Sequence, residues 1–414
     1  MVLLKEFGMH NKIKVVWLCH FSNESIQNRL PLWKKSEVYA AWITNTLEGF
    51  KNSNEFEIHV ISPHQYLKRD YSFEEDGIFY HFYAIGMPII NRSWPAIFRF
   101  DLFCSFWANR RKIKKLVKTI QPDLINLHGA ENSYYSSSAL DFYEQYPLLV
   151  TIQGFISLEV NSKNDSFKQN RIAVESEIIK NCKYFCGDKD SQSVISSMRN
   201  IEFNFFNFYY PNGSNITQLS KRKSEKSYDL LFWGRIIKDK GAEDFLSLVA
   251  QLKVNFPNIK ACYIGPVVPG YLDFLKDRAK ELDCEENVDF KGFINFVDDL
   301  YTEVLKAKIL VLPTYNDRFP TVLREAVCLR IAVIGYATGS IPQFNLGEER
   351  VLLADQGDID KLVSHAGKLL DDEVYFEELT EKAFDHGLNE FSINTNTEKI
   401  ITAYKSVLRK ENKL

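Results

Sequence analysis

Long apolar runs and a strong excess of charge of one sign are both absent from this sequence. No stretch approaches the roughly 18 consecutive uncharged apolar residues that a membrane-spanning helix needs. The net charge is −3 over 414 residues, which gives the chain no overall electrostatic attraction to nucleic acid. We therefore expect a soluble globular protein that binds no nucleic acid.

Cysteine pairs and metal-binding clusters are also scarce. Of the seven cysteines only Cys182 and Cys186 lie close together, and no second pair offers the spacing of a zinc site. Asp298 and Asp299 precede a helical pattern, where acids interact favourably with the helix dipole, so we do not interpret them as metal ligands. The amino terminus lacks the pattern of a signal peptide. We predict reduced, mostly buried thiols, no metal, no cofactor and a cytoplasmic location.

What the sequence does contain is an alternation of short apolar strands with helical patterns, which predicts parallel sheets covered by helices on both faces. In the first half we predict strands near residues 13–19, 56–62, 78–84, 123–127, 147–152, 184–187 and 207–210. Residues 215–227 are polar and basic, and a second alternating set begins at Tyr228. We therefore predict two similar α/β domains, residues 1–217 and 228–394, joined by a linker at 218–227.

The first motif with chemical meaning follows the apolar run 228–233. Gly234 lets the backbone leave a buried strand in a conformation that a side chain would obstruct, so Arg235 emerges at the carboxyl end of that strand. Lys240 follows and precedes a helical pattern. Two cations in the crevice where open α/β sheets bind ligands can face one diphosphate, with charge-assisted hydrogen bonds worth about 1.5–3 kcal/mol each. Considered alone, both are equally well explained as solvated loop charges.

The second motif follows another apolar run. Pro320 has the backbone geometry of a first helical turn, so the amides of Thr321 and Val322 are expected at a helix amino terminus, which attracts phosphate. Glu325 is then in the second turn and Asp317 in the preceding loop. Each carboxylate can accept two hydroxyl hydrogen bonds, which suits the diols of a sugar and a ribose. Singly, each acid is better explained as a helix-surface residue or a loop cap, but their order after the two cations favours a nucleotide-sugar site.

The ordered set of segments resembles the retaining glycosyltransferases of the GT-B fold, in the large group often called family 4. The matching segments in the second half are WGRIIKDKGAEDFL, VDFKGF, AKILVLPTYNDRFPTVLREAV, IAVIGYATGSIPQF and NEFSINTNTEKIITAYKSVL. Weaker matches in the first half are PDLINLHG, VTIQG and YYPNGSN. The resemblance implies two Rossmann-like, doubly wound domains whose parallel sheets face a central cleft. It also implies an acceptor domain first, a donor domain second, and a last helix, at about 395–414, that packs back onto the first domain.

Donor-site residues follow from the resemblance position by position. Arg235 and Lys240, with Gly234 beside them, match the pair that binds the donor diphosphate. Glu325 matches the carboxylate that holds the ribose, and Asp317 matches the first acid near the transferred sugar. Backbone contacts to the donor are implied for the residues between these acids, namely Phe319, Pro320, Thr321 and Val322.

The resemblance also implies contacts on the acceptor or sugar side. His128 falls near a histidine that the family often places at the sugar, and the neighbouring Glu131 is an equally good polar contact. Gln153 stands where a histidine is frequent before Gly154. The group with implied catalytic importance is therefore Arg235, Lys240, Asp317 and His128.

Several residues depart from the family pattern, and they bear most on the donor sugar. The first acid is usually glutamate, but Asp317 is one methylene shorter, and the next residue is Arg318 where glycine is usual. Gln343 stands where glutamate is common. After the first strand the family commonly has a glycine-rich turn near phosphate, whereas in segment 20–29 of this chain we assign no phosphate contact.

A cationic helix is predicted from Arg110 to Lys118, with Ile113, Leu116 and Val117 on one side. One interpretation is a solvated face whose apolar side packs on the sheet. The other is docking on anionic lipid beside a lipid-linked acceptor, which would place the protein peripherally on the inner face of the membrane. The sequence leaves both interpretations open.

The function that these observations predict is metal-independent transfer of a hexose-type sugar, with retention, from a nucleotide diphosphate sugar to a hydroxyl acceptor. A surface polysaccharide or glycolipid is the expected product. The mechanism that the resemblance implies is departure of the diphosphate, stabilised by Arg235, Lys240 and the helix end at Thr321. Two alternatives stay open: a weakened subunit that binds nucleotide-sugar without transfer, and a GT-B nucleotide-sugar epimerase. No G-x-G-x-x-G follows a strand, which disfavours a dinucleotide enzyme.

Overall fold

The computed structural model describes residues 12–30, 40–64, 66–85, 102, 104–158, 165–222, 224–317 and 320–414. Contacts divide the chain into two compact units. Unit 1 comprises Met1–Pro211 and Ile393–Leu414, and unit 2 comprises Asn212–Ser392. Each unit is built on one sheet with its own buried hydrophobic residues on the sheet faces.

Unit 1 contains an eight-stranded sheet in the order β3-β4-β2-β1-β5-β6-β7-β8. The strands are β1 (Ile13–Leu18), β2 (Phe56–His64), β3 (Tyr71–Glu75), β4 (Ile78–Ala84), β5 (Leu124–His128), β6 (Leu148–Thr151), β7 (Tyr184–Gly187) and β8 (Asn204–Asn207). The helices that precede the second unit are α1 (Glu24–Gln27), α2 (Ala41–Glu48), α3 (Trp107–Ile120), α4 (Ser133–Ser136), α5 (Ser166–Asn181) and α6 (Lys189–Met198). The central strands are almost continuously apolar, because helices cover both faces of the sheet.

Two strands of unit 1 differ from the predictions. β3 was not predicted, and it pairs antiparallel with β4, which corrects the expectation of a wholly parallel sheet. The joining residues Asp76 and Gly77 both have positive φ, 51° and 75°, as a two-residue hairpin turn requires. β8 lies earlier than the predicted strand at 207–210, because its register on β7 pairs Gly187 with Asn207. Aromatic residues continue past Asn207, so the sequence gives no signal for where this strand ends.

Unit 2 contains a six-stranded parallel sheet in the order β11-β10-β9-β12-β13-β14. The strands are β9 (Tyr228–Trp233), β10 (Ala261–Ile264), β11 (Val288–Gly292), β12 (Ala307–Leu312), β13 (Ala332–Tyr336) and β14 (Leu352–Ala354). Its helices are α7 (Ser214–Leu219), α8 (Ala242–Lys253), α9 (Tyr271–Glu281), α10 (Val297–Val304), α11 (Thr321–Cys328), α12 (Ile359–Asp371) and α13 (Glu373–Glu390). Strands and helices alternate, as the sequence predicts.

The last helix, α14 (Ile393–Lys410), packs within unit 1 and not on the unit that precedes it in the chain. Its fully buried residues join the core that contains Trp17 and Phe50. The hydroxyl of Tyr404 lies 2.8 Å from Asn126 Nδ2 of β5. The apolar stripe of α14 is therefore buried against the sheet of unit 1.

The boundary between the units lies after Pro211 and not at residue 217, and the segment predicted as a linker, 218–227, belongs to unit 2. α7 packs against α11. Lys226 Nζ donates hydrogen bonds to the carbonyl oxygens of Leu305 and Ala307, at 3.0 and 2.8 Å. The segment has the polar composition of a linker, but these contacts hold it on the unit 2 sheet.

Two further expectations concern cysteines and membrane helices. The seven cysteines are free thiols, and all except Cys104 are buried. Within the ranges that the structure describes, no helix is long and apolar enough to cross a membrane.

Candidate functional site

The carboxyl edge of the unit 2 sheet brings most of the predicted donor residues together. From β9 the chain moves outward to β10 and β11, then returns to β12 on the other side of β9. Open α/β sheets bind ligands beside such a change of direction, because the loops diverge there and leave a crevice. The loop after β9 carries Arg235 and Lys240, and the loop after β12 carries Asp317.

Glycines allow the backbones at this edge to approach one another. Gly241 has φ of 73°, and a Cβ atom there would lie 1.9 Å from the carbonyl oxygen of Pro313. Gly265 has φ of 142°, and a Cβ atom there would lie 1.8 Å from the carbonyl oxygen of Gly234. Side chains at these positions would push the loop after β9 away from both neighbouring strand ends, so glycine is required for the shape of the site.

Lys240 connects the loops after β9 and β12. It ends a 3₁₀ turn, Lys238–Lys240. Its Nζ atom lies 2.5 Å from Asp317 Oδ2 and donates to the carbonyl oxygen of Asn316 at 2.9 Å. The structure therefore brings Lys240 and Asp317 together as an ion pair of low exposure, with 18% and 25% of the two side chains accessible. Arg235 is exposed at the end of β9.

Glu325 lies half-buried in α11 and is held by a residue that the sequence did not indicate. Tyr301 of α10 forms a side-chain hydrogen bond with it. Burial raises the pKa of Glu325 to about 7, although the Arg324 charge and the Tyr301 hydrogen bond both lower it. The Tyr301 ring meets Trp233 edge-on, at 6.0 Å between centroids. Since Trp233 directly precedes Gly234, Tyr301 places Glu325 beside the end of β9.

A second set of residues that the sequence did not indicate fixes the loop before Asp317. Asp244 Oδ2 accepts hydrogen bonds from the hydroxyls of Tyr315 and Tyr336, at 2.7 and 2.6 Å. The amide of Tyr315 donates to the carbonyl oxygen of Asp239 at 3.0 Å, and Gln356 Nε2 donates to the Tyr315 carbonyl oxygen at 3.1 Å. These bonds set the position of the carboxylate that pairs with Lys240.

The predicted helix after Pro320 is present. α11 begins at Thr321, and Pro320 precedes it with φ of −60°. Thr321 is exposed and Val322 is half-buried in the first turn. Phe319, which was predicted to make a backbone contact, and Arg318 lie outside the described residues. Gln343 is in a 3₁₀ turn after β13, Ile341–Asn345.

In unit 1 the structure corrects the expected environment of His128. The side chain is fully buried, with its Nε2 atom 3.0 Å from Asn126 Nδ2 and its Nδ1 atom 3.1 Å from the Tyr210 hydroxyl. Burial lowers its pKa to about 3. Its ring also packs on Trp17 at 4.4 Å. The direct sugar contact predicted for His128 has no exposed atom to make it, so this geometry indicates a supporting role.

The other two predicted residues of unit 1 lie nearer the surface. Gln153 Nε2 donates to the Tyr210 hydroxyl at 3.2 Å, so Tyr210 links it to His128. Glu131 is half-buried, and Gly129, with φ of 85°, makes room for its carboxylate. The carbonyl oxygen of Glu131 accepts a hydrogen bond from Arg171 Nε at 2.6 Å. Unit 1 thus groups Gln153 with His128 through Tyr210, and Arg171 holds the backbone of Glu131.

The chain is similar in sequence to known glycosyltransferases. Residues 216–386 match the family described as glycosyl transferases group 1. The N-acetyl-alpha-D-glucosaminyl L-malate synthase of Bacillus anthracis is 21% identical over 352 residues, which are 80% of this chain and 89% of that protein. The capsular polysaccharide biosynthesis glycosyltransferase CapM of Staphylococcus aureus is 25% identical over 201 residues, 46% of this chain and 52% of that protein.

Solved structures share the fold over nearly the whole chain. Sucrose-phosphate synthase from Thermosynechococcus elongatus has a TM-score of 0.69 at 15% identity, covering 97% of this chain and 100% of that one. Anabaena Alr3699/HepE, in complex with UDP and glucose, has a TM-score of 0.65 at 14% identity, covering 95% and 100%. These similarities confirm the predicted GT-B fold. The matched region lies within unit 2, which therefore contains the domain of the glycosyl transferases group 1 family, and together with the named relatives it supports a glycosyltransferase.

Proposed function

We propose that this enzyme transfers a hexose-type sugar, with retention, from a nucleotide diphosphate sugar to a hydroxyl acceptor in the synthesis of a polysaccharide or glycolipid. The observation that carries the proposal is the Lys240–Asp317 ion pair where the unit 2 sheet changes direction, with Glu325 held through Tyr301 near the end of β9. The complex of Alr3699/HepE with UDP and glucose supports a nucleotide-sugar donor. The name of CapM supports a polysaccharide product.

The charges at this edge suit the parts of such a donor. Lys240 has three N–H groups and uses two of them on Asp317 and Asn316, which leaves one for a phosphate oxygen. Arg235, exposed beside it, supplies a second cation for the diphosphate. Glu325 suits the ribose diol, and the Lys240 ion pair holds Asp317 towards the transferred sugar. The amino terminus of α11 adds a favourable dipole for phosphate.

Exposed aromatic residues at the same edge suit the nucleobase. Phe293 and Phe296 follow β11 and are 61% and 73% exposed. The amide of Gly265 donates to the carbonyl oxygen of Gly292 at 2.8 Å, which holds the start of this segment beside the ends of β10 and β9. An aromatic face can stack on any base, so these residues support nucleotide binding without selecting the base.

Catalysis in this proposal depends on the leaving group. Negative charge grows on the diphosphate as the sugar–phosphate bond breaks, and fixed cations that face this charge lower the barrier. Lys240 is such a cation, because its two protein contacts hold it in place before the reaction. The acceptor hydroxyl attacks the same face of the sugar and can give its proton to the departing phosphate. Because Arg235, Lys240 and the helix end neutralise the donor, we propose that no metal takes part.

A second proposal concerns peripheral membrane contact through α3. Ile113 and Val117 are buried, as either interpretation of this helix requires. Lys112 is held by the Ala84 carbonyl oxygen at 2.6 Å and by Asp70 at 3.2 Å. Arg110 and Lys114 both pair with Asp141. Lys115 and Lys118 are exposed, and so is Trp107, with 56% of its surface accessible. An exposed tryptophan followed by lysines favours docking on anionic lipid.

The test is a panel of UDP-, GDP- and TDP-hexoses with 4-nitrophenyl glycosides or bacterial lipid extract as acceptors. We expect one donor to give a glycosylated product of the same anomeric configuration, and we expect turnover to survive EDTA. Nucleotide binding without turnover would identify a weakened binding subunit, and conversion to an epimer would identify an epimerase. Activity lost in EDTA and restored by Mn²⁺ would contradict the metal-independent site.

A further inference from the structure

The sheet of unit 1 has its own change of direction, between β1 and β5. His20 follows β1 directly beyond Cys19, and Tyr134 is in α4, after β5. His64 is the last residue of β2, the other neighbour of β1. Two imidazoles and a phenol therefore stand at the carboxyl edge of unit 1, where an open α/β sheet binds its ligand. None of the three was singled out by the motifs.

Tyr134 fixes the orientation of the His20 ring. The Tyr134 hydroxyl is hydrogen-bonded to His20 Nδ1, and the two rings are nearly perpendicular, at 89° with centroids 5.6 Å apart. Tyr134 is 2% exposed, and its carbonyl oxygen accepts a hydrogen bond from Asn109 Nδ2 at 3.0 Å. His20 itself is exposed. A rigid, buried phenol thus occupies Nδ1, and Nε2 is the ring nitrogen available to a ligand.

His64 is 6% exposed, whereas His128 is 0% exposed, and His64 is held through the same ring nitrogen as His20. The amide of Tyr66 donates to His64 Nδ1 at 3.3 Å, which selects the neutral tautomer with the proton on Nε2. Burial, with a smaller contribution from the charge of His20, lowers the pKa of His64 to about 4. Although His20 is exposed as a residue, its ring packs against Tyr134, and the loss of water around the ring lowers the pKa of His20. Near neutral pH both rings are therefore uncharged, and His64 Nε2–H is a hydrogen-bond donor.

The backbone beside these rings is already engaged. The amide of Phe21 donates to Ser62 Oγ at 2.9 Å, and Ser62 Oγ donates back to the Phe21 carbonyl oxygen at 2.9 Å. The amide of Cys19 donates to the Ile61 carbonyl oxygen at 3.3 Å. The amides of Cys19 and Phe21 are therefore paired within the protein. Two neutral imidazoles suit a hydroxyl group, which both donates and accepts hydrogen bonds, better than they suit a phosphate.

We propose that His20 and His64 bind the acceptor, a hydroxylated glycan, with His64 Nε2–H donating to one oxygen and His20 Nε2 contacting the same or an adjacent hydroxyl. Tyr134 is a positioning residue that acts through His20. The inference rests on the proposed function, because it names the acceptor side of that reaction. This proposal and the donor-site proposal predict different effects. Changes at His20 and His64 should affect transfer to a glycan, but not the reaction of the donor with water.

The experiment compares His20→Ala, His64→Gln and Tyr134→Phe, with His365→Gln as a matched control. His365 is in unit 2, where its Nε2 atom contacts the Leu353 carbonyl oxygen at 3.0 Å. The donor is the nucleotide-sugar of the panel that is hydrolysed fastest, and the acceptors are the 4-nitrophenyl glycosides. We expect His20→Ala and His64→Gln to lower transfer at subsaturating glycoside by about tenfold, the effect of one lost hydrogen bond of ordinary strength.

Hydrolysis of the donor and affinity for its nucleotide should stay within about twofold of wild type in the same variants. Tyr134→Phe should lower transfer in the same selective way, and added imidazole should restore part of the transfer by His20→Ala. A purely structural role would not give this selectivity or this rescue. Because His20 is exposed, its variant decides the question if His64→Gln fails to fold.

The proposal is overturned if His20→Ala transfers sugar to the glycosides as well as wild type does. It is also overturned if hydrolysis and nucleotide affinity fall as much as transfer. These results differ from failure of the proposed function, in which the wild-type protein itself binds none of the nucleotides, and in that case the acceptor assignment fails with it.

Discussion

At the scale of single residues, the ionisation of Glu325 is expected to lower the stability of the fold and to strengthen nucleotide binding. Burial raises its pKa from 4.5 to about 7, so the folded protein holds this proton more tightly than the unfolded chain does. The stability that the protonated group contributes is complete below pH 4.5 and is lost as pH rises through about 7. A ribose diol prefers the carboxylate, so nucleotide binding should strengthen over the upper part of that range.

Glu325→Gln should remove both effects. Because glutamine does not ionise, the melting temperature of the variant relative to wild type should be higher near pH 8 than near pH 5. Nucleotide affinity at the higher pH should fall by about 10- to 100-fold, the loss of a charged acceptor. Calorimetric melting and titration of the best nucleotide at both pH values check this. An identical pH dependence in both proteins would show that Glu325 is not the titrating group.

The sequence predicted that Arg235, Lys240 and Asp317 lie at one edge of the unit 2 sheet because they follow strands directly, and a strand end fixes where a side chain emerges; their role at a donor stays a prediction. It did not indicate Tyr301 or Asp244, whose roles depend on which helices pack across the sheet. His128 also follows a strand, but its burial depends on Tyr210 and Trp17, which are distant in sequence. The local sequence pattern indicates where a residue lies along a strand or helix. Tertiary packing decides which other residues its side chain contacts.

At the scale of elements, two glycines that precede helices provide a matched comparison. Gly241 and Gly270 have φ of 73° and 79° before α8 and α9. A Cβ atom at Gly241 would strike Pro313, whereas at Gly270 nothing lies within 4 Å. Gly270→Ala should therefore destabilise by about 1–2 kcal/mol from backbone strain alone. Gly241→Ala should add about 1–3 kcal/mol more from the clash.

Urea unfolding of both alanine variants measures the difference. The Gly241 variant should also lose activity, because the clash separates the loop after β9 from the loop that carries Asp317. Equal destabilisation of the two variants would mean that the close approach of these loops is not needed for the fold.

The exposed lysines of α3 can be changed to test the membrane proposal, because they lie away from the buried side of the helix. Lys115→Gln with Lys118→Gln should weaken binding to vesicles that contain phosphatidylglycerol, at about 1 kcal/mol per lysine. Lys112→Gln is the control, because its ammonium group is held by Asp70 and Ala84. Vesicle co-sedimentation at low salt checks this. Undiminished binding by the double variant would favour a solvated helix.

Element boundaries were the least predictable part of the fold. Asp76-Gly77 is a local sequence signal for a hairpin turn. The strands on either side are short and partly exposed, so the pattern of apolar residues predicted only β4. The polar segment 218–227 has the composition of a linker because its side chains are mostly solvated. Its attachment to unit 2 comes from Lys226 and from backbone hydrogen bonds at the start of β9, which composition does not indicate.

At the scale of the whole molecule, the alternation of strands and helices was enough to predict two α/β sheets, which are parallel except at β3. It did not indicate the destination of the last helix. α14 has one apolar stripe, which would suit either sheet, and only the resemblance to the family indicated unit 1. In the structure Tyr404 reaches Asn126, and Gly49 packs so closely on Thr397 that a Cβ atom would lie 1.8 Å from its hydroxyl oxygen. Such contacts are long-range in sequence and become visible only in the fold.

The central claim is that Lys240 stabilises a departing diphosphate at the carboxyl edge of unit 2. Lys238 provides the matched control, since it shares the 3₁₀ turn with Lys240 but leaves 81% of its side chain exposed, against 18% for Lys240. The most direct measurement is turnover of the best nucleotide-sugar by Lys240→Ala and Lys238→Ala, both shown to be folded. We predict a loss of about 10²-fold or more for Lys240→Ala, as for removal of one preorganised electrostatic group, and little change for Lys238→Ala. Full activity in a folded Lys240→Ala protein would contradict the claim.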